Sequence, residues 1–205
     1  MSIFLINSYI TFPDLPPDQI ANEKAMSFNG TDQYVNVGST ISLNGELTIS
    51  IWLNPNDNTI VNLLGNSNNT NFLYINGSTQ LQISSSDIAQ TFTNTTFSTG
   101  SWQHIVLTRD SSNVFRAYKN GTLTDTSSAD AGTFTFNQIG TYYTGQYYFN
   151  GKMDEIAIFN TALSASKIQQ IYDATAIIGG VPQTANLFTG GLDSSLVYWN
   201  RMGDS

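Results

Sequence analysis

The chain has 205 residues, with 15 acids against 7 bases and a net charge of −8. It offers no basic stripe to neutralise phosphates, which argues against nucleic acid and anionic membrane surfaces as partners. It has no cysteine, so disulfides, thiolate metal sites and cysteine nucleophiles are excluded, and its length suits one domain or one domain with long arms.

The opening stretch, "MSIFLINSYITFPDLPPDQIANEKAM", holds Pro13, Pro16 and Pro17, and residues 1–24 read as an extended arm. Its apolar run is short, is broken by Asn7 and Ser8 and follows no Lys or Arg, so it lacks the pattern of a secretory leader. No run approaches the roughly 20 apolar residues of a spanning helix. The expectation is a soluble chain that leaves its cell of origin only by a route such as lysis. Charged residues make up 11% of the chain, so Asn, Thr, Ser and Gln must supply most of the wetted surface.

From there on, Asn-Gly pairs punctuate the chain at Asn29-Gly30, Asn44-Gly45, Asn76-Gly77, Asn120-Gly121 and Asn150-Gly151. Such pairs suit hairpin turns that need positive φ at both central residues. The runs between them are rich in Val, Ile, Thr, Tyr and Phe, the pattern of an antiparallel all-β sandwich or barrel. In "ELTISIWLN", Leu47, Ile49, Ile51 and Leu53 share one face, and Thr48, Ser50 and Trp52 share a mostly polar one. "TQLQISS" alternates in the same way, with Leu81 and Ile83 inward. "SWQHIVLTRD" is apolar on both sides and reads as a central strand. "NVFRAYKNGTLTDT" is a hairpin turning at Asn120-Gly121. One stretch, "SASKIQQIYDA", has helical spacing, with Ser164 as its N-cap.

Few residues here can carry chemistry. His104 is the sole histidine, so a Ser-His-Asp triad would have to use it. Its setting in a doubly apolar strand points instead to a packed core residue. "TYYTGQYYFNG" is an aromatic cluster in which Tyr142, Tyr143 and Tyr147 are candidates for stacking on sugar faces. The other reading is that alternate rings are core.

Four stretches in order carry a family likeness: "AMSFNGTDQYVNVG", "LTISIWLNP", "GSWQHIVLTRDSSNVFRAYKNGTL" and "IGTYYTGQYYFNGKMDEIAIFNTALSASKIQQIYDA". The chain resembles the laminin-G-like, concanavalin-A-like jelly-roll domains. That resemblance implies a two-sheet antiparallel sandwich over residues 25–175 with one short helix near its end. It also implies a structural calcium ion, held by Asn29, Gly30 and Asp32 from the loop after the first strand and by Asp154 from the closing strand. Calcium takes hard oxygen ligands of this kind. The alternative for Asp154 is a turn cap pairing with Lys152 or a backbone amide. Glu155 reads as outward and solvated. Hydrolases that share the sandwich use a Glu-x-Asp-x-x-Glu strand, and none of Glu23, Glu46 and Glu155 lies in such a pattern, so a non-enzymatic protein is expected.

The end of the chain, residues 176–205, reads as a second arm or the start of a further repeat. Its "LVYWNRMGDS" could open another domain, fold back on its own, or place Leu196, Val197, Tyr198 and Trp199 against a neighbouring subunit. Two functional expectations follow. The first is a structural or adhesive protein of a virus particle, a phage capsid decoration or tail-fibre component, partnered by other virion subunits or by itself as a homo-oligomer. The alternative is a carbohydrate-binding module of an extracellular or cell-surface protein, with a host-surface glycan as ligand.

Overall fold

The structure, a computed structural model, describes residues 19–20, 22, 24–57, 59–68, 71–142, 146–175, 177–178 and 180–202. The β-prone runs become strands: β1 (Gln19–Ile20), β2 (Met26–Asn29), β3 (Val35–Leu43), β4 (Leu47–Pro55), β5 (Val61–Gly65), β6 (Phe72–Ile75), β7 (Gln80–Ser84), β8 (Ala89–Thr96) and β9 (Gln103–Arg109). After these come β10 (Val114–Lys119), β11 (Thr122–Ala129), β12 (Phe134–Ile139) and β13 (Asn150–Phe159). The helix α1 (Ala165–Ala174) is followed by the short β14 (Ile177–Ile178), β15 (Val181–Pro182), β16 (Thr184–Ala185) and finally β17 (Leu196–Asn200).

Two antiparallel sheets face each other in a jelly-roll sandwich. One runs β11-β10-β9-β4-β13-β17, with β2 pairing the first part of β13; the other runs β3-β12-β5-β6-β7-β8. Period-two alternation builds the space between them. Leu47, Ile49, Ile51 and Leu53 of β4 meet Leu81 and Ile83 of β7 and Phe134 and Phe136 of β12 in one core. The hairpin of β10 and β11 turns at Asn120 and Gly121, both left-handed at φ 50° and 78°, as the type I′ turn requires.

This frame also encloses a charged side chain. Arg109 is fully buried and donates from Nε to Gly45 O (2.7 Å), from Nη1 to Gly132 O (2.6 Å) and from Nη2 to Leu43 O (3.3 Å). It satisfies three main-chain carbonyls with one rigid fork.

The outer face of the β4 sheet is covered rather than wet. Helix α1, capped by Ser164 Oγ accepting from Lys167 N at 3.3 Å, lies across it with Ile168 and Ile171 buried. Thr48, Ser50 and Trp52, the polar-looking side of β4, are therefore buried too. Thr48 and Trp52 find their partners in the covering segment. Thr48 Oγ1 donates to Thr161 O at 2.7 Å and accepts from Leu163 N at 2.9 Å.

The tail completes the cover. The segment read as a second arm folds back, and β17 pairs with β13 in the register Ile156↔Asn200, Ala157↔Trp199, Ile158↔Tyr198. Of the four residues expected to contact other subunits, Leu196 and Trp199 pack with Ala157, Phe159 and Leu187 of their own domain, and Tyr198 packs on the main core beside Phe136. Val197 is the most exposed of the four at 48%, while the other three are half-buried and line a surface groove with it and Phe188. Burial of its apolar side chains against the nearest exposed strand outweighs an extended tail. At the other end, residues 1–18 of the expected arm lie outside the described residues, and β1 pairs with β16. Among the described residues no helix is long and apolar enough to cross a membrane.

Candidate functional site

The closing strand decides what the acid pair does. Met153 and Ile156 both enter the inter-sheet core, so one residue between them is extra. The register of β13 on β4 shifts between Asp154 and Ala157, and Glu155 sits at φ 48°. This is a β-bulge, and it turns both acids to the covered outer side. Asp154, fully buried, accepts from Asn22 Nδ2 and from Glu155 N, each at 2.8 Å. Glu155 is 5% exposed and accepts from Thr184 Oγ1 at 2.6 Å and Trp199 Nε1 at 2.9 Å. Arg201 Nε stands 3.9 Å from its Oε1, at ion-pair distance. The expectation of an outward, solvated Glu155 is thus corrected: the bulge folds it in. The pair fastens both ends of the chain, Asn22 on one side and Thr184, Trp199 and Arg201 on the other.

The calcium set does not come together. Asn29 pairs with Asn150 at the start of β13, and Asp154 lies four residues further along, about 13 Å away at strand rise. The Asn29 loop is closed on itself: Asn29 Oδ1 accepts from Thr31 N (3.0 Å) and Asp32 N (3.2 Å), and Asn29 Nδ2 donates to Asp32 Oδ1 (2.8 Å). Gly30 donates its N–H to Phe149 O at 3.0 Å. Asp154 is taken by Asn22. These four residues therefore do not fit one shared ion, and among the described residues no three carboxylates or imidazoles converge on a metal position.

His104 is buried as expected, between strands β4 and β10. Its ring stacks with Trp52 (centroids 5.2 Å, 22°) and Tyr172 of α1 (6.0 Å, 13°). Its Nε2 lies 2.8 Å from Ser50 Oγ. A serine and histidine do meet here, but they border a void of about 10 Å³, near the room one water needs. α1 seals it, so no substrate reaches the pair. Burial pushes the imidazole pKa down to about 3, so the ring is neutral at ordinary pH.

The opposite sheet has an open outer face, and there the aromatic residues gather. Along β6, Leu73 and Ile75 enter the core, which turns Phe72 and Tyr74 outward. The loop between β12 and β13 folds over the same face. Tyr142 packs edge-on to Phe72 (5.1 Å, 86°), Phe72 meets Tyr74 (5.1 Å, 68°), and Tyr142 and Tyr147 are 5.7 Å apart. With Ile60 and Asn62 these rings line a groove of about 200 Å³. Tyr147 is 48% exposed and left-handed at φ 52°, a strained backbone for a bulky residue. Its carbonyl accepts from Asn62 N at 3.1 Å, which holds the loop on β5. Burial raises the Tyr74 pKa, so the phenol keeps its proton and can donate.

Of the three tyrosines named from sequence, Tyr142 and Tyr147 share this groove and Tyr143 lies outside the described residues. Ile60, Asn62, Phe72 and Tyr74 were not singled out. Two aromatic residues two positions apart in "NFLYIN", on the side of a strand away from Leu73, are the signal that points to them. Gly65 fixes the loop's height. A Cβ there would lie 2.2 Å from Thr141 O and 2.5 Å from Tyr142 Cα. Gly65→Ala is expected to destabilise the domain by about 1–3 kcal/mol and to shift the Tyr142 ring, measured by thermal melting and tyrosine fluorescence. A second cleft, beside Trp102, Asn120, Tyr172 and Asp173, has its indoles engaged: Trp102 donates to Gly180 O and Trp52 to Thr175 Oγ1.

Sheet order, helix and groove define a jelly-roll sandwich with one face covered and one face presenting aromatic rings. Residues 29–169 match a laminin G family described as the concanavalin A-like lectin/glucanases superfamily. The protein belongs to that family. No curated protein matches the sequence significantly. Among solved structures, a candidate carbohydrate binding protein from Bacteroides ovatus superposes with a TM-score of 0.61 at 17% identity, over 93% of this chain and 53% of its own. The chain thus spans about half the length of that protein. The CBM40 domain of a Ruminococcus gnavus sialidase, bound to sialyllactose, gives 0.55 at 13% identity, over 73% of this chain and 97% of its own. Domain 4 of an extracellular arabinanase from Geobacillus stearothermophilus, in complex with arabinotriose, gives 0.53 at 18% identity, over 78% and 86%. At these identities the likeness speaks for the fold. None of these similarities points to a virion protein.

Proposed function

We propose that this domain is a carbohydrate-binding module of an extracellular or cell-surface protein, and that the aromatic groove over β5 and β6 takes the sugar. The observation that carries the reading is the convergence of Phe72, Tyr74, Tyr142 and Tyr147 on one open face. Pyranose and furanose rings present flat C–H faces that pack on aromatic rings, and phenol hydroxyls bond their rims. The size of the groove suits one or two sugar units rather than a buried small molecule. The similar carbohydrate-binding domains support the same direction, as does a surface kept wet by amides and hydroxyls. The virus-particle reading gains no such support.

The test is calorimetric titration with arabinotriose, cellotriose and maltotriose. Wild type is expected to bind at least one of them. Tyr147→Ala is expected to weaken that binding about tenfold or more, as for an aromatic anchor in a small interface, with little change in melting temperature. Absence of binding by wild type to these three and to 3′-sialyllactose would overturn the reading. Undiminished binding by Tyr147→Ala would remove the groove from it.

A further inference from the structure

The groove has a polar floor, and one atom of that floor is unmatched. Asn62 lies on β5 between Val61 and Leu63, both core residues. The side chain is turned to the outer face, where the residue is only 2% exposed and lines the groove beneath the rings. Its main-chain N–H is engaged, donating to Tyr147 O. Its side-chain Oδ1 is buried and no protein group donates to it. Buried amides usually find partners; the amide oxygens of Asn54, Gln138 and Gln170 are likewise buried without a protein donor, and of these four Asn62 is the one that lines the aromatic groove.

Strand register extends the floor. Asn62 is opposite Tyr74, Tyr74 opposite Gln82, and Gln82 opposite Thr91. An amide, a phenol, an amide and a hydroxyl thus form a row across four strands beside the rings. Every group in the row is uncharged at neutral pH. The groove's lining carries no cation, and the chain as a whole has a net charge of −8. An anionic sugar would enter an unfavourable field with no ion to meet it.

We infer that Asn62 is the specificity-determining residue of this groove: its Oδ1 accepts a hydroxyl of a neutral oligosaccharide whose ring face rests on the aromatic residues. The inference rests on the carbohydrate reading and adds to it the ligand class and the atom that selects it. An acceptor held in place by the sheet, with its own backbone pinning the Tyr147 loop, couples hydroxyl recognition to ring stacking. A site built to bond a hydroxyl discriminates sharply against a ligand lacking it, because the buried group is then left unmatched.

The experiment compares wild type, Asn62→Leu and Tyr147→Ala in titrations with arabinotriose, cellotriose, maltotriose and 3′-sialyllactose, alongside melting temperatures. Asn62→Leu is expected to weaken the neutral trisaccharide about tenfold or more, while its melting temperature holds or rises by about 2–4 °C, since a buried acceptor without a protein donor gives way to an apolar group of similar size. An affinity within twofold of wild type overturns the inference, and so does a fall in melting temperature, which makes the amide structural. Monodeoxy analogues of the best-bound trisaccharide test the same contact without altering the fold. One position is expected to cost wild type affinity and to cost Asn62→Leu nothing further; equal losses in both proteins at every position overturn it. Tighter binding of 3′-sialyllactose than of any neutral sugar overturns the ligand class. If wild type binds and Tyr147→Ala weakens binding while Asn62→Leu does not, the inference fails and the groove stands. If wild type binds none of the four, both fail.

Discussion

Glu155→Ala is expected to destabilise the fold by about 3–5 kcal/mol, the range for removing one member of a buried charged network. The carboxylate accepts from Thr184 and Trp199 and faces Arg201. Without it, two donors and a largely buried guanidinium lose their common acceptor at a site 5% exposed. The loss acts on the fold because those partners sit on the returning tail. β17 would lose its polar anchor, and the packing of Trp199 and Leu196 on Phe159 and Ala157 would loosen with it. Denaturant titration followed by tryptophan fluorescence reads both effects, a lower midpoint and a red shift as Trp199 meets water. Glu155→Gln keeps the shape and one acceptor oxygen and should fall between the two. A Glu155→Ala midpoint equal to wild type would show that the tail stays docked by apolar packing alone.

A second large effect concerns pH. His104 titrates at about 3 in the folded protein because burial disfavours its charged form, whereas a histidine in an unfolded chain titrates near ~6.5. Between those values the unfolded chain takes up a proton that the folded one does not. Stability is therefore full above about pH 6.5 and falls by about 1.4 kcal/mol for each pH unit below it. Over pH 6.5 to 5, before most carboxylates titrate, the loss should reach about 2 kcal/mol. His104→Gln should remove that slope, although it costs stability at pH 7 through the Trp52 and Tyr172 stack and the Ser50 contact. Chemical denaturation of both proteins at pH 7, 6 and 5 gives the comparison. Parallel pH profiles would mean that the imidazole can charge in place, through an opening of α1.

Much of the architecture is readable from spacing. The alternation in "ELTISIWLN" and "TQLQISS", the Asn-Gly turn at Asn120-Gly121 and the Ser164 cap each rest on neighbours in sequence, and each appears where the local pattern places it. The resemblance supplied the two-sheet frame and its closing helix. Tyr142 and Tyr147 were visible as aromatic residues, while Phe72, Tyr74 and Asn62 came from distant strands.

By itself the sequence determined the strand alternation, the Asn120-Gly121 turn, the helix cap, the absence of thiol chemistry and the shortage of cations, because these depend on residue type and short-range spacing; the other four Asn-Gly pairs lack positive φ at both residues, and Asn150-Gly151 lies within β13. Tertiary structure alone decided the rest. A one-residue bulge at Glu155 reverses which side an acid faces, and no alternation pattern announces it. That bulge turned the acid pair into an anchor for Asn22 and the returning tail, while the register of β2 on β13 set Asp154 four residues beyond the partner of Asn29. The covering of one sheet by α1 and β17, and the bareness of the other, then set which polar residues became core and which aromatic residues became a groove. Burial is a property of what lands on a face, and only the folded chain brings Trp199 to Glu155 or Tyr147 to Asn62.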